Sequence, residues 1–390
     1  MEGSRGRIAL NFSYTDDQAS ITSALNGFVA STLLAGYMRR DRDGMFPEDA
    51  WQQMAEMGLF GLRIPGEYDG QELDCVTAGL AIEAVARGDF NLCYGILNSA
   101  FVGDLMARNA SEPLRREWLP RLAAGDARIS VCLTEPHCGS DAAAIRTRAE
   151  RDGDDFVLNG EKASVTLVMA ADAGVVFART DPDAGSRGVS AFLVPLDAPG
   201  VTRHPYADMG SKCILRGSLF LDDVRVPEAN LIGKLNGAFG SAMQTFEYTR
   251  ALIGLMCVGA AMQTLEETIA YTSQRKAFGQ PISRNQGVSF PAAEAWSRLE
   301  MARWHCLRTL WLRDQNLPHN AEAAVCKGMV PEICVDVIRD CLILHGHYGY
   351  TQDLPIEQRL RDVCGQLIAD GTPQIQKIII ARHLYGREFV

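Results

Sequence analysis

DDFVLNGEKASVTL, residues 154–167, is where the texture of this chain changes. Asn159-Gly160 stands there between two extended runs, which reads as a β-hairpin turn. AGVVFART (173–180) and VSAFLVPL (189–196) continue as short strands bounded by Asp181-Pro182 and Pro199-Gly200. Upstream the pattern is helical. Phe46-Pro47-Glu48 opens a helix that AWQQMAEMGLFG (50–61) carries to a break at Gly58, and TAGLAIEAVARG (77–88) ends at Gly88 as if at a glycine just past a helix. Downstream of VPEANLIG (226–233), Ala251, Leu255, Val258, Met262, Leu265 and Ile269 recur in alternating steps of four and three, the stripe of a bundle helix. AAEAWSRLEMARWHCLRTLWLRD (292–314) and MVPEICVDVIRDCLIL (329–344) carry similar stripes. The expected fold class is α+β multidomain: an N-terminal helical domain (1–125), a central small β domain (126–235) and a C-terminal four-helix bundle (236–390).

At 390 residues and 47 % apolar, the chain exceeds one ordinary core and can fill two or three. The N-terminal MEGSRGRIALNFSYTDD (1–17) lacks the basic-then-apolar build of a leader, and no uninterrupted apolar run reaches the ~18 residues of a membrane span. A soluble cytoplasmic protein is expected. The eleven cysteines, Cys75 through Cys364, contain no CxxC pair and lie mostly in apolar segments, so disulfides are not expected. With 48 acidic against 38 basic residues the formal charge is −10, which disfavours nucleic acid and anionic membrane as partners. Arg39-Arg40 and Arg115-Arg116 are short enough to be solvated helix faces. Cys341, His345 and His347 have no second ligand group at metal spacing and read as a core histidine beside a glycine turn, so no metal is assigned.

Three stretches carry chemistry. Gly139-Ser140, after LTEPHC, forms a turn able to present backbone N–H groups to an anion. SQRKAFGQPISRNQG (273–287) interrupts two helices with Arg275, Phe278, Gly279 and Gln286, a mixture of charge, ring and amide suited to a polyanionic, ring-bearing ligand or to a plain inter-helix loop. In IADGTPQIQKIIIARHL (368–384), Thr372 reads as an N-cap and Pro373 as the first helical residue, with Ile375, Ile378, Ile379 and Arg382 following at helical spacing. From these residues alone, Asp370 is a turn former, a helix cap or a catalytic base. No GxGxxG, Walker, GxSxG or HExxH motif is present.

These segments together resemble the acyl-CoA dehydrogenase family, flavoproteins that oxidise the α,β bond of an acyl thioester. The resemblance spans nearly the whole chain: GLFGLRIPGEYDGQELD (58–74), LTEPHCGSDAAAIRTRAERDGDDFVLNGEK (133–162), LFLDDVRVPEANLIG (219–233), QRKAFGQPISRNQG (274–287), HGHYGYTQDLPIEQRLRDV (345–363) and ADGTPQIQKIIIARHL (369–384). It implies FAD as cofactor. Leu133 and Thr134 match the segment that meets the flavin ring, Gly139 and Ser140 the turn near the pyrophosphate, and Thr166 the hydroxyl beside flavin N5. Arg275, Phe278 and Gln286 match residues lent by a neighbouring subunit, and Thr372 and Gln374 further FAD contacts, so a dimer or tetramer is implied. Asp370 falls on the base position of short- and medium-chain members, with Ser140 and Gly371 beside the expected substrate; Glu247 matches an acid that contacts substrate and Arg250 an arginine near the base. Other members place the base immediately before that arginine, where this chain has Thr249.

Three departures bear on function. Aspartate replaces the usual glutamate, shortening the reach by roughly 1.5 Å where about 1 Å already matters to rate. Ser164 replaces a tryptophan beside the flavin; His347 replaces a glycine, and Ile343 a glutamine, in the loop that meets the FAD adenosine. The expected function is an FAD-dependent dehydrogenase of a small or unusual acyl thioester, on coenzyme A or on an acyl-carrier protein in biosynthesis. Electrons would pass to an electron-transfer flavoprotein or to oxygen. A nitroalkane-oxidase-like flavoprotein with an aspartate base, and a non-catalytic FAD-bound scaffold, are the alternatives.

Overall fold

The computed structural model of the chain describes residues 12–388, so residues 1–11 of the stretch read for a leader lie outside it. A long helical rod opens the fold: α1 (Asp16–Phe28), a π-turn (Val29–Leu33) and α2 (Leu34–Asp43). Thr15 starts it with a capping box, its Oγ1 accepting the Gln18 N–H while the Gln18 carboxamide accepts the Thr15 N–H, both at 3.1 Å. Four further helices follow, α3 (Glu48–Glu56), α4 (Cys75–Gly88), α5 (Cys93–Asn109) and α6 (Glu112–Ala123). Gly58, at φ 71, does break the chain after α3. Gly88 is not the expected cap glycine: it is the last residue of α4, and a Cβ there would lie 2.7 Å from Val29 and 2.8 Å from Leu33. Its missing side chain lets the π-turn lie against α4.

The middle of the chain forms one seven-stranded sheet from β1 (Ile129–Cys132), β2 (Arg148–Asp152), β3 (Asp155–Val165), β4 (Ala173–Arg179), β5 (Val189–Pro195), β6 (Val201–Pro205) and β7 (Gly217–Pro227). The order is β1-β4-β2-β3-β7-β6, with β5 paired to β4. Asn159-Gly160 is not the hairpin turn. β3 runs straight through it, and the β2–β3 turn lies earlier, at Gly153-Asp154, where Asp152 faces Asp155. Gly160 instead sits at a bulge against β7, and a Cβ there would stand 2.7 Å from the Thr147 Cα.

The helical C-terminal domain begins with α7 (Ala238–Gln274), then a tiny hairpin of β8 (Lys276–Ala277) and β9 (Gln280–Pro281), then α8 (Gln286–Asp314), α9 (Asn320–Gly328), α10 (Val330–His345), α11 (Ile356–Cys364) and α12 (Pro373–Tyr385). Ala251, Leu255, Val258, Met262 and Leu265 are buried as the stripe requires; Ile269, 43 % exposed, has run past the core. By length and composition two helical spans are long and apolar enough to cross a bilayer, Asp16–Asp43 and Ala238–Gln274, although neither is an uninterrupted apolar run. The second is the bundle's central helix, with 78 % of its apolar window buried in protein; the first is tied down through Tyr37 and Arg40, which bond Asp362 and Asp89. All eleven cysteines are free thiols, ten of them buried.

Candidate active site

The loop between α11 and α12 turns through two left-handed residues, Asp370 at φ 49 and Gly371 at φ 92. Aspartate tolerates that region at a cost on the order of 1 kcal/mol, and glycine occupies it freely. Thr372 then caps α12: its Oγ1 accepts the Ile375 N–H, and Pro373 takes the first helical position. The cap role therefore belongs to Thr372, leaving the Asp370 carboxylate uncommitted. The carbonyls of this turn are gripped by two fully buried side chains. Lys327 Nζ, on α9, donates to Gln366 O at 2.6 Å and Gly371 O at 3.2 Å, and Gln376 Nε2, on α12, donates to Gly371 O at 3.2 Å. Among the described residues no carbonyl accepts the Asp370 N–H.

Asp370 is exposed as a residue; desolvation by the protein around its carboxyl raises its pKa above the usual aspartate value, with the Lys327 and Arg250 charges pulling it partly back. Arg250, on α7, is 7 % exposed, and its Nε is buried without a partner. Glu247, one helical turn earlier and half-buried, and Asp370 both act on its charge, so the structure brings Asp370, Gly371, Arg250 and Glu247 into one neighbourhood. Thr249 is buried, with its hydroxyl turned to Phe246 O at 3.5 Å. Gln366 Oε1 and Gln376 Oε1 are also buried without a partner.

A second group forms where β1 and β3 end. The Ala163 N–H donates to Thr134 O at 2.9 Å, Ser130 Oγ to Thr166 O at 2.8 Å, and Lys162 Nζ to Leu133 O at 3.1 Å, drawing Leu133, Thr134, Ser164 and Thr166 together. Glu135 anchors the next turn: its carboxylate accepts from Lys162 Nζ at 2.7 Å and from the Arg146 and Thr147 N–H groups. Burial opposes its charge, but these donors hold its pKa below the usual carboxylate value. Glu135, His137 and Cys138 offer ligand atoms within 4.8 Å of one another, but the Glu135 carboxylate is already spent on its donors. Gly139 and Ser140 are exposed on this turn, and a Cβ at Gly139 would find only Thr134 Cγ2, at 3.9 Å, which leaves open space above it.

Of the remaining expected site residues, Arg275, Phe278, Gln286 and His347 lie at the exposed end of the bundle, whereas Gln374 follows the Asp370 turn at the start of α12. Phe278 and Gly279, at φ 51 and φ 80, make a two-residue turn of the primed kind, and Phe278 is wholly exposed. Arg275, Gln286, His347 and Gln374 are exposed as well. His345, by contrast, is buried; its Nδ1 is 2.9 Å from Cys341 O and its ring stacks on Tyr271 at 4.3 Å, joining the end of α7 to the Gly346–Tyr350 turn. Among the described residues no hydrogen bond links Arg275, Phe278, Gln286 or His347 to the Leu133–Thr166 group. Sequence reasoning missed Lys327, Gln376 and the Glu135–Lys162 pair. A lysine and a glutamine within the apolar spacing of AEAAVCKGMV and PQIQKIII were the available signal.

Residues 15–126, 130–224 and 236–385 match, in turn, the N-terminal, middle and C-terminal domains of acyl-CoA dehydrogenase. The chain is 35 % identical over 379 residues to the probable acyl-CoA dehydrogenase YngJ of Bacillus subtilis (strain 168), covering 96 % of this chain and 100 % of that protein. Its fold is similar to that of the prolyl acyl carrier protein oxidase AnaB, with a TM-score of 0.93 at 29 % identity over 96 % of this chain and 100 % of the other. It is likewise similar to PigA with FAD and proline, with a TM-score of 0.94 at 26 % identity over 97 % and 100 % of the two chains.

Proposed function

The chain belongs to the acyl-CoA dehydrogenase family, FAD-dependent oxidoreductases acting on CH–CH groups, and from that premise we propose that it oxidises a small or unusual acyl thioester carried by coenzyme A or by an acyl-carrier protein. One observation supports the site assignment above the rest. The carboxylate of Asp370, an exposed residue of the turn, lies in the field of two buried cations and beside its own uncommitted N–H. In this reading Asp370 takes the α-proton onto a carboxylate oxygen, and its raised pKa suits that task. The Asp370 N–H donates to the thioester oxygen as negative charge builds there. Glu247 and Arg250 border the acyl group.

The residue types fit the cofactor. The open space over Gly139 and the exposed Ser140 suit a pyrophosphate, and Leu133, Thr134, Ser164 and Thr166 offer an edge of hydroxyls and amides to a ring. FAD, when bound, supplies the hydride acceptor. Thr372 and Gln374 would meet it from α12, and Arg275, Phe278, Gln286 and His347 from a neighbouring subunit, which makes the enzyme a dimer or tetramer. A wholly exposed Phe278 at the tip of a tight hairpin supports that assembly; a monomer in sedimentation of the FAD-loaded protein would exclude it. The enzyme is read as cytoplasmic, passing electrons to an electron-transfer flavoprotein or oxygen.

The test is flavin bleaching by a panel of acyl-CoAs, acyl-carrier thioesters and nitroalkanes, with Asp370→Asn alongside wild type. The amide keeps the size but not the basicity, so turnover falls by ~10²-fold or more at unchanged FAD content. Near-normal bleaching by Asp370→Asn ends the base assignment and turns attention to Glu247. Bleaching by nitroalkanes alone favours the second reading, for which the aspartate in place of glutamate is the supporting observation.

A further inference from the structure

We infer that Lys327 is the positioning residue of the turn that carries Asp370, its buried ammonium clasping the Gln366 and Gly371 carbonyls on either side of the acid. The inference rests on the reading of Asp370 as base. Lys327 is fully buried, and a cation removed from water persists only where bonds compensate it. Its two bonds are local to one place: a short one of 2.6 Å to Gln366 O, before the turn, and one of 3.2 Å to Gly371 O, within it. Asp370 lies between those two carbonyls in sequence and holds a left-handed φ of 49, a conformation that costs aspartate on the order of 1 kcal/mol and that the clasp helps to hold.

Lys327 thus performs two tasks with one group. Its hydrogens fix the backbone from which the carboxylate projects, and its charge lies in the field of that carboxylate without touching it. The other charged or titratable groups facing Lys327 are Cys257 and Arg250 on α7 and Glu332 on α10. Burial raises the Cys257 thiol to about 12, leaving it neutral; Arg250 repels the lysine, and only Asp370 and Glu332 offer formal negative charge. Burial by itself pushes the lysine toward its neutral form, with Asp370 the largest influence opposing that. The acid and the lysine therefore each oppose the other's neutralisation, while burial still leaves the lysine's pKa below and the acid's above its usual value.

The experiment compares FAD-loaded wild type, Lys327→Met and Lys327→Gln by two measurements. One is the titration midpoint of the Asp370 carboxyl carbon, by 13C NMR of protein labelled at aspartate, with Asp370→Asn identifying the signal. The other is hydrogen exchange of the peptide spanning residues 366–375. Losing the lysine removes a favourable charge, so the midpoint rises, by about one pH unit or more. Losing the clasp frees the turn, so exchange there quickens by about tenfold or more while the rest of α12 is unchanged. A folded Lys327→Met in which either quantity keeps its wild-type value overturns the inference. If that variant does not fold, Lys327→Gln, polar and uncharged, decides by the same criterion. The base reading is judged separately by turnover of Asp370→Asn: an active Asp370→Asn ends that reading, whereas an inactive one together with an unmoved midpoint ends only the role of Lys327.

Discussion

Ser164 stands where the family resemblance implies an indole beside the flavin, and its surroundings bear on that space. The residue is left-handed at φ 56, beside an irregularity in the β3–β7 pairing, and its N–H donates to Tyr206 Oη at 3.3 Å. That hydroxyl is also 2.7 Å from Ser218 Oγ, so the tyrosine ring is held over the end of β3 rather than waving in solvent. Tyr206 is 38 % exposed, so with Ser164 beside the flavin, as the resemblance implies, its ring would cover part of that space and not all of it. Two outcomes follow for the reduced enzyme. Ser164→Trp slows reoxidation of the flavin by oxygen, because the larger ring closes what Tyr206 leaves open. Tyr206→Ala speeds it by several-fold, because the remaining cover is lost. Stopped-flow reoxidation in air-saturated buffer reads both; no change in Tyr206→Ala would show that oxygen reaches the flavin by another path.

At the scale of elements, Gly160 teaches how far a sequence can be read. Asn-Gly is the strongest short hairpin signal when the two residues are free to turn, but here the glycine is required for a different reason. β3 passes so close to Thr147 that a Cβ would lie 2.5 Å from its Oγ1 and 2.7 Å from its Cα. The strands β3, β4 and β5 were legible because short β-rich runs bounded by turn residues are a local signal, and so were α7, α8 and α10, whose apolar stripes repeat over many turns. The turn was not legible, because the cause of the glycine lies on another segment thirteen positions away. The same limit hid Lys327: its partners on the α11–α12 loop become neighbours only after the bundle is assembled, whereas Thr372 and Pro373 announced their cap from adjacent residues. Gly160→Ala therefore acts as a backbone collision within the sheet and not as a turn defect. It is expected to destabilise the β domain by about 2–4 kcal/mol. Thermal unfolding checks this, and a loss no larger than that of an ordinary surface substitution would return Asn159-Gly160 to the role of a loop.

Across the whole molecule, the N-terminal helices, the sheet and the bundle meet at one buried acid. Asp362, on α11, accepts from Tyr37 Oη of α2 at 2.6 Å, from Asn91 Nδ2 before α5 at 3.0 Å, and from the Ser211 N–H of the β6–β7 connection at 2.6 Å. Gly210 permits this approach, since a Cβ there would lie 2.7 Å from the Arg361 backbone, and Arg361 fastens the same junction by donating to Met209 O and Asp41. Burial outweighs the relief given by Tyr37 and Ser211, and Asp41 and Asp89 add repulsion, so the Asp362 pKa rises from 3.8 to about 6. The sign of the consequence follows from that order. With the folded pKa above the unfolded one, the native state binds the extra proton between the two values. The stability this group contributes is therefore greatest on the acid side and is lost as pH climbs toward and through about 6. Asp362→Asn keeps the shape and cannot titrate. The stability of wild type minus that of Asp362→Asn, from urea unfolding, should accordingly fall by roughly 2 kcal/mol between about pH 4.5 and 7.5. Acids that do not interact with Asp362 cancel in that difference because both proteins carry them, leaving only its coupling to Asp41 and Asp89. A difference that does not change with pH would mean that Asp362 is ionised in the native state throughout, and that the three layers are joined by a paired charge instead of a shared proton.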